Sequence, residues 1–192
     1  MSGAKPGQIV IISGPSGAGK TTVVRELLTA CPLPLMLSVS ATTRAPRPGE
    51  TDGREYFFLS RAEFARRRVA QEFLECKEVF GRGDWYGTLR EQVASGLRAG
   101  KWVILEIDVD GAMSVLEQWP DCVTIFLHPG SLEELERRLR GRGTDSEEAI
   151  QRRLEVARRE LSFVSRYRYQ VVNDAPARAV QEICQILQLS AP

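Results

Sequence analysis

The sequence predicts an α/β fold, a three-layer α/β/α core around a five-stranded parallel sheet, and three observations carry that expectation. Short apolar runs alternate with amphipathic stretches along most of the 192 residues, as in parallel strands joined by crossover helices. The first run, Gln8 to Ser13, leads directly into Gly14-Pro15-Ser16-Gly17-Ala18-Gly19-Lys20-Thr21, which fits the phosphate-loop pattern G-x-x-x-x-G-K-[ST] at every fixed position. The stretch from Ser40 to about Tyr86 then interrupts the alternation, being poor in long apolar runs and rich in arginine, glycine and turn residues, as an inserted lobe would be.

Each element follows from local chemistry. Thr22 to Leu28 has helical spacing after the phosphate loop, Cys31-Pro32-Leu33-Pro34 ends that helix, and Leu35 to Val39 reads as a short strand. Prolines make Ser40 to Glu50 a loop. Within the lobe, Glu55 to Leu59 and Phe73 to Val79 read as strands around a helix from Arg61 to Ala70, opened by Ser60 with Glu63 three residues on. The main pattern resumes with a helix from Leu89 to Ala99, Gly100 as its stop, and a strand from Trp102 to Asp108 whose Glu106 and Asp108 alternate onto one face. A helix from Gly111 to Gln118, with Asp110 as the expected cap, is followed by a strand from Cys122 to Leu127. Ser131 and Glu134 box the start of a helix from Leu132 to Arg140, and Thr144 with Glu147 suggests a second box before a helix to about Val164. A strand from Tyr169 to Val172 and a helix from Pro176 to Leu187 complete the chain. The expected division is a core of residues 1–39, 89–136 and 166–192, a lobe of 40–88 and a lid of 137–165.

Composition excludes several classes. A net charge of +1 gives no reason to expect a nucleic-acid or membrane-surface partner, and no apolar run approaches the roughly 18 residues of a membrane span. Cys31, Cys76, Cys122 and Cys184 form no C-x-x-C pair, so free thiols in a reducing cytoplasm are expected. The single histidine, His128, precedes Pro129-Gly130 at a strand end with no triad company, which suits a structural role. Of the 26 basic residues 22 are arginine, and 10 of these fall between Arg137 and Arg168. Guanidinium forks match phosphate geometry, so Arg138, Arg142 and Arg153 are candidates to reach over a polyphosphate.

The chemistry of the phosphate loop is specific. Its glycines let the backbone aim N–H groups inward, and the following helix adds its positive N-terminal end. Lys20 would reach the outer phosphates, and the Thr21 hydroxyl would complete a Mg²⁺ shell shared with phosphate oxygens.

Beyond the loop, a succession of motifs resembles guanylate kinases over nearly the whole chain. Ser40 to Glu50 matches S-x-T-T-R-x-P-R-x-G-E, Asp52 to Tyr56 matches D-G-R-E-Y, and Glu75, Tyr86-Gly87-Thr88, Ile107-Asp108 and Gly141-Arg142-Gly143-Thr144 follow in order. The resemblance implies Mg²⁺-dependent transfer of the ATP γ-phosphoryl group to GMP. It implies that Ser40, Arg44, Arg47, Tyr56 and Tyr86 bind the GMP phosphate, that Glu75 and Thr88 read the base, and that Glu106 and Asp108 complete the acceptor site. On the ATP side it implies Gly14, Pro15, Ser16, Gly17, Ala18, Gly19, Lys20, Thr21 and Thr22, with Asn173 near the adenine. Lys20, Arg44, Arg138, Arg142 and Arg153 become the catalytic candidates. Glu106 departs from the family, which usually carries aspartate there. Two other readings are a protein-binding module, which in this fold resembles an enzyme with a damaged phosphate loop, and a ribose-bisphosphate kinase, which would not need Glu75 and Thr88 to face a base.

Overall fold

The alternation of β1 decides how the layers assemble. In β1 (Gln8–Ser13), Val10 and Ile12 join one buried cluster while Ile9 and Ile11 join another on the opposite face, so the strand is covered on both sides. The computed structural model describes residues 7–79, 83–141 and 146–191. Among these, β2 (Leu35–Leu37), β7 (Trp102–Glu106), β1, β8 (Val123–His128) and β9 (Tyr169–Val172) lie in that order in one sheet, and every pairing is parallel. Helices α1 (Lys20–Ala30) and α7 (Pro176–Leu189) cover one face through Val23, Leu27, Ile183 and Leu187. On the other, α3 (Arg90–Arg98) and α4 (Val109–Gln118) contribute Val93, Val109, Ala112 and Val115. Ile11 and Ile12 are fully buried, and each such side chain contributes roughly 1.5–3 kcal/mol of burial.

A second sheet holds β4 (Phe57–Phe58), β3 (Ala41–Thr42), β6 (Asp84–Leu89) and β5 (Phe73–Val79) in that order, closed by α2 (Arg61–Val69). Its own core is small: Ala41, Phe64, Phe73 and Leu89, with the Phe64 and Phe73 rings stacked at 4.3 Å. Helices α5 (Leu132–Gly141) and α6 (Glu147–Leu161) form a third cluster through Leu135, Leu139, Ile150, Leu154 and Ala157.

Several boundaries differ from the sequence reading. The strand expected from Glu55 is reduced to Phe57–Phe58, because the chain turns at Gly53 and the Asp52 carboxylate accepts the Phe58 N–H at 2.8 Å. The strand expected to run to Asp108 ends at Glu106, so Glu106 and Asp108 do not share a strand face. Asp108 is the N-cap of α4, accepting the Gly111 N–H at 2.8 Å, and takes the place expected for Asp110. Ser146 caps α6 by accepting the Ala149 N–H, whereas Thr144 lies outside the described residues. His128 fits its structural reading, its Nδ1 accepting the Gly130 N–H. The described cysteines are free, and Cys31 and Cys184 bring their Sγ atoms to 2.9 Å between α1 and α7.

Candidate active site

The carboxyl ends of β1, β7, β8 and β9 point to one edge of the main sheet, where open α/β folds bind ligands. At that edge the chain leaves β1 into the phosphate loop, and two glycines are obligatory. A Cβ on Gly14 would stand 1.9 Å from the Leu127 carbonyl oxygen, and Gly14 has φ 141°. A Cβ on Gly19, at φ 88°, would stand 2.5 Å from Asn173 Nδ2. That amide holds the loop from below by donating to the Ala18 carbonyl at 2.7 Å.

Helix α1, like α3 and α7, has no side-chain cap at its N-terminus. Ser60, Asp108 and Ser146 cap α2, α4 and α6, but the N-cap of α1 is Gly19, which offers no side chain, and its first turn holds no acid. Its N-terminal N–H groups and dipole are thus directed at the loop. Lys20 folds back over it, donating to the carbonyls of Gly14 at 2.6 Å and Pro15 at 3.1 Å. Burial lowers the Lys20 pKa, while Glu160, Glu106 and Asp108 pull it back up. The Thr21 hydroxyl donates to Glu106 Oε1 at 2.6 Å, a contact that spans 85 residues.

The cleft between the two sheets is a cavity of about 660 Å³. It gathers Gly14, Ser16, Lys20, Ser40, Tyr56, Glu75, Tyr86, Glu106, Asp108 and Arg153, all expected from the sequence. Glu75 lines the cavity, and behind it the buried Thr88 donates its hydroxyl to Glu75 Oε1 at 2.6 Å, while Gly111 faces the other oxygen closely enough that a Cβ would stand 3.0 Å from it. Burial pushes the Glu75 pKa up to about 7; the Thr88 hydroxyl opposes that rise, Asp108 adds to it and Lys77 works against it. Arg44 donates to Tyr86 Oη at 3.1 Å and to Glu50 at 2.8 Å, with its guanidinium 5.5 Å from the Tyr56 ring centre. The Glu50 bond, opposed by burial, leads the causes that raise the Arg44 pKa, so the fork stays charged.

Other expected residues lie off the cavity. The exposed Arg47 donates its backbone N–H to Glu50, and Thr22 is an exposed residue of α1. Arg138 donates to Glu134 and to the Asn173 carbonyl, both at 2.7 Å, and thereby ties α5 to the end of β9. Arg142 lies outside the described residues. The cavity also holds groups that sequence reasoning missed, among them Lys77, Asp110, Arg159 and Glu160. Burial lifts Glu160 to about 7 against the pull of Lys20. None of these lies in a recognisable motif; strand alternation does put Lys77 on the face of Glu75.

Comparison with known proteins identifies the family. A family profile described as guanylate kinase matches residues 6–190. A guanylate kinase of Rhodopirellula baltica is 63% identical over 186 residues, covering 96% of this chain and 88% of that one. One from Caldanaerobacter subterraneus is 48% identical over 187 residues, covering 97% and 89%. The crystal structure of guanylate kinase from Anaplasma phagocytophilum superposes with a TM-score of 0.79 at 34% identity, covering 97% of this chain and 87% of that one. With its matched profile running almost from end to end, the chain belongs to the guanylate kinase family.

Proposed function

We propose that this enzyme transfers the γ-phosphoryl group of ATP reversibly to GMP, giving ADP and GDP, with the donor on the phosphate loop and the acceptor across the cleft. The observation that carries the acceptor assignment is Glu75 lining the cavity, with the buried Thr88 hydroxyl hydrogen-bonded to it from behind. Guanine presents N1–H and N2–H₂ side by side, and one ionised carboxylate accepts both. Adenine offers a lone pair at N1 and no amine at C2, and would leave Glu75 facing an acceptor.

Arg44, Arg47, Ser40, Tyr56 and Tyr86 hold the GMP phosphate. Arg44 turns its fork from Glu50 toward the dianion, an exchange of one charge-assisted bond for another. The loop from Gly14 to Thr22 cradles the ATP phosphates, with Asn173 supporting it and facing the adenine side. Its Oδ1 is buried with no hydrogen-bond partner among the described residues, an acceptor left for a ligand donor. Arg138, Arg142 and Arg153 reach over the phosphates from the lid of residues 137–165, and residues 40–88 move as the acceptor lobe.

The Thr21 hydroxyl and Glu106 carboxylate meet beside the loop. They are hard oxygen donors, which suits Mg²⁺, an ion usually held by one or two protein oxygens and the substrate phosphates. The longer Glu106 side chain still reaches Thr21, so the departure from aspartate preserves this contact. Thr21 and Glu106 would hold the ion there, and it would supply positive charge against the donor phosphates.

The acceptor is a phosphate oxygen whose second pKa is about 6, so it needs no strong general base. The protein's work is alignment and charge: Lys20, Arg44 and the lid arginines spread positive charge over the group in transfer while lobe and lid exclude water. The cytoplasm is the compartment that supplies both nucleotides, and no described helix is long and apolar enough to cross a membrane. A coupled assay of ADP release with ATP and Mg²⁺, offering GMP, AMP, CMP, UMP or ribose 1,5-bisphosphate, tests the reading. GMP-dependent turnover supports it; turnover with the ribose bisphosphate alone, or with no acceptor at all, overturns it.

A further inference from the structure

Four charged residues on the cavity wall are joined to one another and bridge three parts of the molecule. Lys77 of β5 sets its Nζ 2.7 Å from Asp108 and 2.8 Å from Asp110, at the N-terminus of α4. The other oxygen of Asp110 receives Arg159 of α6 at 2.8 Å. One carboxylate of the core is therefore shared by a cation from the lobe and a cation from the lid. Asp108 as N-cap and Asp110 in the first turn are also held where a helix dipole favours negative charge. All four line the cavity that both nucleotides would enter.

We propose that Lys77, Asp110 and Arg159 are positioning residues for the transfer: their ion pairs fasten the lobe strand β5 and the lid helix α6 to α4, and so bias the cleft toward the closed arrangement. The proposal rests on the ATP-to-GMP reading. Asp110 is a third exposed and Arg159 nearly two thirds, so each pair alone contributes little to folding. A small bias suffices, because the apparent affinity of a ligand scales with the fraction of protein in the competent state. The charge states agree with the geometry. Burial works against both Lys77 and Asp110, yet their partners more than offset it, raising the first pKa and lowering the second.

The arrangement has a consequence that simple contact with one substrate lacks. If a single closed state receives both nucleotides, loosening the lobe weakens ATP, and loosening the lid weakens GMP. The experiment is steady-state kinetics on Lys77→Met, Arg159→Met, the double variant and Arg159→Lys, with far-UV dichroism and a thermal midpoint confirming that each is folded. Each Met variant is expected to raise the KM for ATP and for GMP together, by about two- to fivefold, with kcat within about twofold of the parent. The double variant is expected to fall well short of the product of the singles, and Arg159→Lys to restore most of the loss. A GMP-only effect of Lys77→Met, through its influence on Glu75, with Arg159→Met near the parent values, overturns the proposal. So does full multiplicativity of the two singles. A parent enzyme inactive with GMP is the separate failure of the underlying reading.

Discussion

The two ends of the cleft are built from different materials. The end proposed for the donor is backbone: contiguous residues from Gly14 to Thr21, an uncapped helix behind them, and one buried amide from Asn173 fixing the turn. The end proposed for the acceptor is side chain: Arg44 and Glu50 from the loop after β3, Tyr86 and Thr88 on β6 and Glu75 on β5, beside a buried core of four residues. A nest of backbone N–H groups recognises phosphate wherever it occurs, so the donor end is general. Side chains with fixed donor and acceptor order discriminate between bases, so the acceptor end is selective. The first is anchored in the main sheet and the second in the smaller four-stranded sheet.

The largest effect expected is at the donor end. Lys20→Met removes the buried ammonium that folds over the phosphate loop, and kcat should fall by about 10³ with the fold intact, as single-turnover kinetics and circular dichroism would show. A near-normal rate would remove Lys20 from the mechanism. At the acceptor end, Arg44→Met should raise the KM for GMP by about 10² while the KM for ATP stays within a few-fold, because one fork facing the dianion is lost. An equal loss for both nucleotides would erase the distinction between the two ends.

A titration sharpens it further. Only ionised Glu75 accepts two guanine donors, and its pKa is lifted to about 7. GMP affinity should therefore rise with pH and level off above 7, weakening by about tenfold per unit below it, whereas ATP affinity should fall over the same range as Glu160, also lifted to about 7, ionises near Lys20. Calorimetry at several pH values reads both. The same shift works oppositely on stability: a carboxyl raised in the folded state favours folding below its ordinary value, and that contribution is lost as pH climbs through 7. The smallest effect belongs to Asn173→Ala. Removing the strut under Ala18 should lower the thermal midpoint by about 2–4 °C and raise the KM for ATP a few-fold, leaving GMP unaffected.

These two ends were unequally legible in the sequence. The donor loop is contiguous, so its spacing alone identifies it, and β1 with its apolar alternation announces the sheet that carries it. The acceptor residues are scattered over 49 positions from Ser40 to Thr88 and became legible through the succession of motifs they share with a family. Lys77, Asp110, Arg159 and Glu160 were not legible, because three elements must dock before their charges meet. Alternation from Trp102 places Asp108 on the strand beside Glu106; its carboxylate instead accepts a helix N–H, and the strand ends at Glu106. Capping residues and strand ends look alike until the following turn is known.

If Glu75 reads the guanine edge, the ratio of kcat/KM for GMP to that for AMP depends on its carboxylate. The parent enzyme should favour GMP by at least about 10², and Glu75→Gln should shrink that preference by an order of magnitude or more, chiefly through loss of GMP turnover. An unchanged ratio in Glu75→Gln would show that base selection resides elsewhere in the cleft.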